Sequence, residues 1–140
     1  MTAAGYEYFD VEADVGVRAR GRDRTEAFAQ AALGVLALGV APDDVEERET
    51  REIRAQAANL EDLLVAWINE CVYVHEIEGF AVRRVSVQRL DDAVVHGVLH
   101  GEPLDPARHQ LGTVVKGVTH HHVSVTDTET GCEVSVIVDV

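Results

Sequence analysis

Val15, Val17 and Ala19 alternate with Gly16, Arg18 and Arg20, the period-two pattern of a half-buried strand. Residues 6–11 just before them read as another short strand. After the turn GRDR at 21–24 the period changes. Phe28, Ala31, Ala32, Val35 and Leu36 recur at helical spacing, which predicts a first helix running to about Gly39. Asp23, three positions before Glu26, supplies a capping box at its start. Residues 50–57 carry Ile53 among alternating charges and read as an exposed or edge strand. Asn59 with Asp62 opens a second helix. Its apolar stripe is Leu60, Leu63, Leu64, Trp67, Ile68, Cys71 and Val72, and it ends before Gly79. Strands are predicted over 80–90, 93–101, about 114–126 and 133–138. Asp91-Asp92 and Glu129-Thr130-Gly131 form the hairpin turns between them. The order ββαβαββββ predicts an α+β fold, with two helices packed on a mostly antiparallel sheet and a single domain over 1–140.

The chain has 140 residues, of which 46% are hydrophobic, enough for a core without staples and too many for a disordered segment. Charge changes the picture more. The 25 Asp and Glu stand against 12 Lys and Arg, a formal net charge of −13, and Lys116 is the only lysine. Such a balance argues against a protein whose main task is gripping nucleic-acid phosphate, though not against a local basic patch. It suits a surface in concentrated salt, where the Debye length falls to about 3 Å at 1 M. Arginine in place of lysine equally suits a GC-rich genome. Cys71 and Cys132 make no disulfide framework and no zinc-ligand spacing. The start of the chain has no basic or apolar leader pattern, and no stretch approaches the roughly 20 apolar residues of a membrane span. A soluble, cytoplasmic protein is expected.

Three segments carry candidate chemistry. Asp10, Glu12 and Asp14 fall at i, i+2 and i+4, so in one extended strand they would share a face. Oxygen donors grouped this way suit a hard divalent cation, and they equally suit a solvated acidic face. Asp139 and the carboxylate of Val140 follow a dense Val/Ile strand and can add oxygen ligands if that strand is central. The polar segment 101–122 holds Glu102, Asp105, Arg108, His109 and Lys116, and long irregular segments in small domains are often functional. Asp105 and His109 form an i, i+4 pair, either an acid/base pair of a small hydrolase or a surface link. His120 and His122 would point the same way in a strand, too few imidazoles for a closed metal site. Trp67 fits the core. No nucleophile elbow, phosphate loop, dinucleotide fingerprint or zinc-protease motif is present.

Taken together, the motifs resemble the archease family, small cytoplasmic accessory proteins of RNA processing. FDVEADVG at 9–16 is similar to the family's F-D-H-T-A-D-x-G, and LEDLLVAWINE at 60–70 to its helix motif. GEPLDPARHQLGTVVKGVTHH resembles G-E-x-x-D-x-x-x-H followed by G-T-x-V-K-A-V-T-Y-H, and the end VSVIVDV resembles the family's acidic-then-apolar terminus. The matches run in order along essentially the whole chain. The resemblance implies a non-enzymatic partner of an RtcB-type RNA ligase, which joins tRNA halves after intron removal. Archeases promote the ligase's guanylylation and multiple turnover. A second role implied is that of a chaperone for a tRNA methyltransferase. The resemblance further implies a divalent metal, Ca²⁺ first with Mg²⁺ or Mn²⁺ as alternatives, on Asp14, Asp139 and Val140. Partner contacts are expected at Lys116, Asp10, Glu12, Glu102 and His109. The chain departs from the family at Val11-Glu12, where His-Thr is usual, at Gly117 for Ala, and at His120 for Tyr.

Overall fold

Strand β1 (Gly5–Val11) turns at Glu12 and Ala13 into β2 (Asp14–Gly21), so that Val11 and Asp14 face each other across the hairpin. The computed structural model describes residues 3–140. Met1 and Thr2, the first residues of the predicted domain, lie outside the described residues. Helix α1 (Arg24–Leu36) begins where the capping box predicts. The Asp23 carboxylate accepts the Glu26 N–H at 2.9 Å, and the Glu26 carboxylate accepts the Arg22 N–H at 3.0 Å. A 3₁₀ turn (Pro42–Asp44) leads to β3 (Glu49–Gln56). Helix α2 (Leu60–Glu76) is capped by Asn59, whose side chain accepts the Asp62 N–H at 2.9 Å. The strands β4 (Phe80–Leu90), β5 (Val94–Pro103), β6 (Gly117–Thr128) and β7 (Gly131–Asp139) complete the order ββαβαββββ.

The strands form two antiparallel sheets where one was expected. The four-stranded sheet runs β1-β2-β7-β6 and the three-stranded sheet β3-β5-β4. The predicted edge strand is indeed an edge, since β3 pairs only with β5. Each helix packs on both sheets: α1 on β2, β7 and β4, α2 on β6 and β3. Two short sheets thus bury their inner faces against the same helix pair. Trp67 sits at the centre, fully buried, with its Nε1–H donating to the Phe28 carbonyl at 3.0 Å. Its ring occupies the space over Gly97 of β5, where a Cβ would come within 2.3 Å of the indole. The last two links of the chain are shifted from expectation. Strand β6 begins at 117, because the residues before it bond elsewhere. Gly112 N–H donates to the Gly39 carbonyl at 2.7 Å and Thr113 N–H to the Leu38 carbonyl at 2.8 Å. Residues 104–116 therefore form a strap from the small sheet, over the end of α1, to the large one.

Candidate functional site

Strand β7 is central in its sheet, with β2 on one side and β6 on the other. Val15 pairs with Val138, and Asp14 and Asp139 are the next residues on each strand. Cross-strand neighbours share a face, so the two exposed carboxylates stand together at one end of the ladder. On the other side of β7, Gly117 pairs with Asp139, and the Lys116 N–H donates to the Asp139 carbonyl at 2.8 Å. One sheet end therefore gathers Asp14, Lys116, Asp139 and Val140 from the two extremes of the chain and the end of the strap.

Asp10 and Glu12 do not join Asp14 on one strand face. The chain reverses at Glu12, which adopts the left-handed conformation at φ 46°. Asp10 then pairs with Val15 and Asp14 with Val11, and adjacent pairs point to opposite faces. The period-two reading fails because a hairpin interrupts it. Both Asp10 and Glu12 remain exposed.

Glu102 and His109 are also placed differently from expectation, because both are buried and joined to each other. Glu102 Oε2 accepts the His109 Nε2–H at 3.0 Å and the Glu46 N–H at 2.8 Å, while Oε1 accepts from Arg108 at 2.6 Å. The Arg108 guanidinium, with help from the Glu46 N–H, holds the Glu102 carboxyl down at about 2. His109 Nδ1 accepts the Asp105 N–H at 2.9 Å, so the ring's donated proton is on Nε2. Glu102 and His109 thereby pin the start of the strap and present nothing outward. The Asp105 carboxylate caps the Ala107 N–H at 3.0 Å and makes no acid/base pair with the imidazole. Neither thiol is poised for attack: burial pushes Cys71 well up, and Cys132 up to about 11. His120, His121 and His122 occupy a bulge of β6, where the pairing shifts between Thr119 and Ser124. His120 lies 3.1 Å from an Asp62 oxygen, and the His121 and His122 rings lean on each other at 3.9 Å.

The profile of the Archease protein family (MTH1598/TM1083) matches residues 6–140. A relative from Sulfurisphaera tokodaii, named Protein archease, is 35% identical over 122 residues, covering 86% of this chain and 87% of its own. The chain belongs to the archease family. The solution structure of Protein 1598 from Methanobacterium thermoautotrophicum superposes with a TM-score of 0.79 at 29% identity, covering 97% of this chain and 99% of that one. A crystal structure from Thermotoga maritima, described as an archease and possible chaperone, has the same fold. Its TM-score is 0.63 at 16% identity, with 96% of each chain covered.

The archease site contains residues that motif reading passed over. Asn69 of α2 clamps the start of β6: its Oδ1 accepts the Val118 N–H at 2.8 Å, and its Nδ2–H donates to the Val118 carbonyl at 3.3 Å. Gly117 lies directly under that amide, where a Cβ would come within 2.9 Å of Asn69 Oδ1, and its φ of 155° also favours glycine. Glu76 accepts the Val115 N–H at 3.1 Å and fixes the strap just before Lys116. A cleft of about 580 Å³ opens between α2 and the strap, lined by Tyr73, Ile77, Val114, Lys116 and Asp139 among others. Tyr73 and Ile77 fall outside the apolar stripe read from the sequence, and residue type alone does not tell an apolar residue left exposed from one in the core.

The donor set at the sheet end fits a hard divalent ion in kind. It offers carboxylate oxygens on Asp14 and Asp139 with a main-chain oxygen of Val140 beside them. Neither aspartate forms an ion pair among the described residues. Two side chains do not close a site alone: among the described residues, no three His, Cys, Asp or Glu side chains are gathered tightly enough to hold an ion. No helix among the described residues is long and apolar enough to cross a membrane.

Proposed function

We propose that this archease is a non-enzymatic accessory protein that activates an RtcB-type RNA ligase, promoting its guanylylation and multiple turnover. The observation that carries the reading is the adjacency of β2 and β7. It brings Asp14 and Asp139 together from opposite ends of the chain, next to Lys116. Asp14, Asp139 and Val140 would hold a divalent ion, Ca²⁺ or alternatively Mg²⁺ or Mn²⁺. A bound ion would supply positive charge toward an anionic group of the ligase's nucleotide site. The chain's own contribution is placement. The Lys116 N–H bond to β7 and the Asn69 clamp on β6 hold the backbone of Lys116 beside Asp139. The excess of carboxylates agrees with leaving RNA to the ligase.

The test is multiple-turnover ligation by the ligase with Asp14→Ala and Asp139→Ala archease. Both substitutions are exposed, so the fold is expected to hold while stimulation is lost. A folded double variant that stimulates normally overturns the metal-site mechanism. A second reading is a metal-independent chaperone for RNA-modifying enzymes such as a tRNA methyltransferase. It is favoured by the exposed apolar side chains of α2 and the strap, and by the Thermotoga maritima relative's description. Calorimetry with Ca²⁺, Mg²⁺ and Mn²⁺ separates the two: heat of binding supports the first, and none for any ion supports the second.

A further inference from the structure

We propose that the free edge of β3 pairs antiparallel with the β3 edge of a second copy of this chain. A two-fold axis at Ile53 would set each Glu52 opposite the other copy's Arg54. The proposal is independent of the accessory reading above.

The two sheets end in four edge strands, β1 and β6 in the large one and β3 and β4 in the small one. An edge presents unpaired N–H and C=O groups, and folds blunt it with bulges or with charge. Register shifts interrupt β4 between Val82 and Arg84 and between Val87 and Arg89, and β6 between Thr119 and Ser124. Strand β1 is regular, but its charged residues are Glu7 and Asp10, both acidic, so two copies of it repel. Strand β3 has neither protection. Its eight residues pair with β5 without a shift and include no proline. In an acidic chain its charges balance, Glu49 and Glu52 against Arg51 and Arg54. Among the described residues, β3 pairs with no strand but β5. Helix α2 does not seal the edge, because a recess of about 570 Å³ lies between Arg54, Ala55 and Gln56 on one side and Ala66, Asn69 and Glu70 on the other.

Charge says what pairs there. In a chain with 25 carboxylate residues and 12 cations, an arginine without a carboxylate partner is the exception. Among the described residues the other ten arginines each form an ion pair. Arg54 forms none, and neither does Glu52, although both are exposed on the same strand. They stand two residues apart, opposite His96 and Val98 of β5, so their side chains share the outer face of the small sheet. Ile53 between them turns into the core. When a strand pairs antiparallel with its own copy, the residue before the centre faces the residue after it. With Ile53 at the centre, Glu52 meets Arg54 twice per dimer, and Thr50 meets Gln56. Opposite charges directly across a ladder stabilise it, and like charges destabilise it. The neighbouring registers fail on that ground: centring on Glu52 sets the two Glu52 carboxylates together, and centring on Arg54 sets the two guanidiniums together. The sequence of the strand thus selects a second copy and one register, joining two small sheets into one of six strands.

The experiment is sedimentation equilibrium of the full chain over a concentration series, with Glu52→Arg, Arg54→Glu and the double variant that exchanges the two charges. Both positions are exposed, and melting temperatures report folding. Wild type is expected to reach a dimer and no larger species. Each single variant is expected to dimerise at least about tenfold more weakly, since by symmetry it places two like-charge pairs in the ladder. An equal mixture of the two single variants is expected to recover association, because a basic edge then faces an acidic one. The double variant is expected to recover it alone. Glu52→Arg is the sharpest arm. It removes a carboxylate and adds a cation, so relief of overall repulsion would tighten the dimer where the pairing loosens it. Should a charge-reversed variant fail to fold, Glu52→Gln and Arg54→Gln carry the test, each with a smaller loss. Wild type that stays monomeric across the series overturns the proposal. So does a dimer indifferent to both single variants, or one that neither the mixture nor the double variant restores.

Discussion

Glu102 shows how a residue that looks functional in a polar loop can be structural. Its carboxylate accepts hydrogen bonds from Arg108, Glu46 and His109 while almost wholly buried. Folded, it titrates at about 2, below the ordinary 4.5. A lowered carboxyl stabilises the fold above the unfolded value and ceases to as pH falls through the folded one. Its contribution is therefore complete above about pH 5 and is lost progressively between about 4.5 and 2. Glu102→Ala is expected to cost about 2 kcal/mol at neutral pH, because it leaves buried donors unmet. It is also expected to flatten the acid limb of the melting-temperature profile. A variant whose profile keeps the wild-type slope below pH 4.5 would show that other carboxylates carry the acid sensitivity. Glu12 shows the reverse case. A glutamate at φ 46° carries no turn signal, so the hairpin around it was hidden, and with it the separation of Asp10 from Asp14.

At the scale of elements, what was legible was local. Both helices start at their predicted caps, and the chain order of strands and helices is the observed one, because caps and periodicity act within a few residues. What was not legible is pairing between distant segments. Nothing in the pattern of residues 50–57 says that β3 joins β5 and leaves β2 and β7 to another sheet. The meeting of Asp14 with Asp139 was legible only as a condition, that their strands lie close, and the direct β2–β7 ladder meets it. The clamp between α2 and β6 was equally hidden, since an asparagine on a helix face has many uses. Removing it offers a test at this scale. Asn69→Ala is expected to destabilise the protein by about 1–2 kcal/mol through the exposed ends of two backbone bonds at Val118. It should also speed amide exchange at Val118 more than at β2. Uniform protection in both strands would assign Asn69 no special hold on β6.

For the whole molecule, the dominant quantity is the net charge of −13. Ten arginines are already matched with carboxylates, so most of the remaining acids repel one another without relief. Raising KCl from about 0.1 to 1 M shortens the Debye length from about 10 Å to about 3 Å and removes most of that repulsion. The exposed ion pairs lost in exchange are worth about 1 kcal/mol each at most. The melting temperature is therefore expected to rise across the series, and one that stays level or falls removes the reading of this surface as one suited to concentrated salt. The central position of β7 has a consequence of another kind, in the order of biosynthesis. About 110 residues separate the end of β2 from the start of β7. At roughly 5–20 residues per second, a ribosome needs on the order of 5–20 s to cover them. Throughout that interval β1 and β2 can exist only as a hairpin with one side open. Strand β7 emerges after β6 and brings Asp139 with it, so a nascent chain completes its large sheet and acquires its acidic pair in one step.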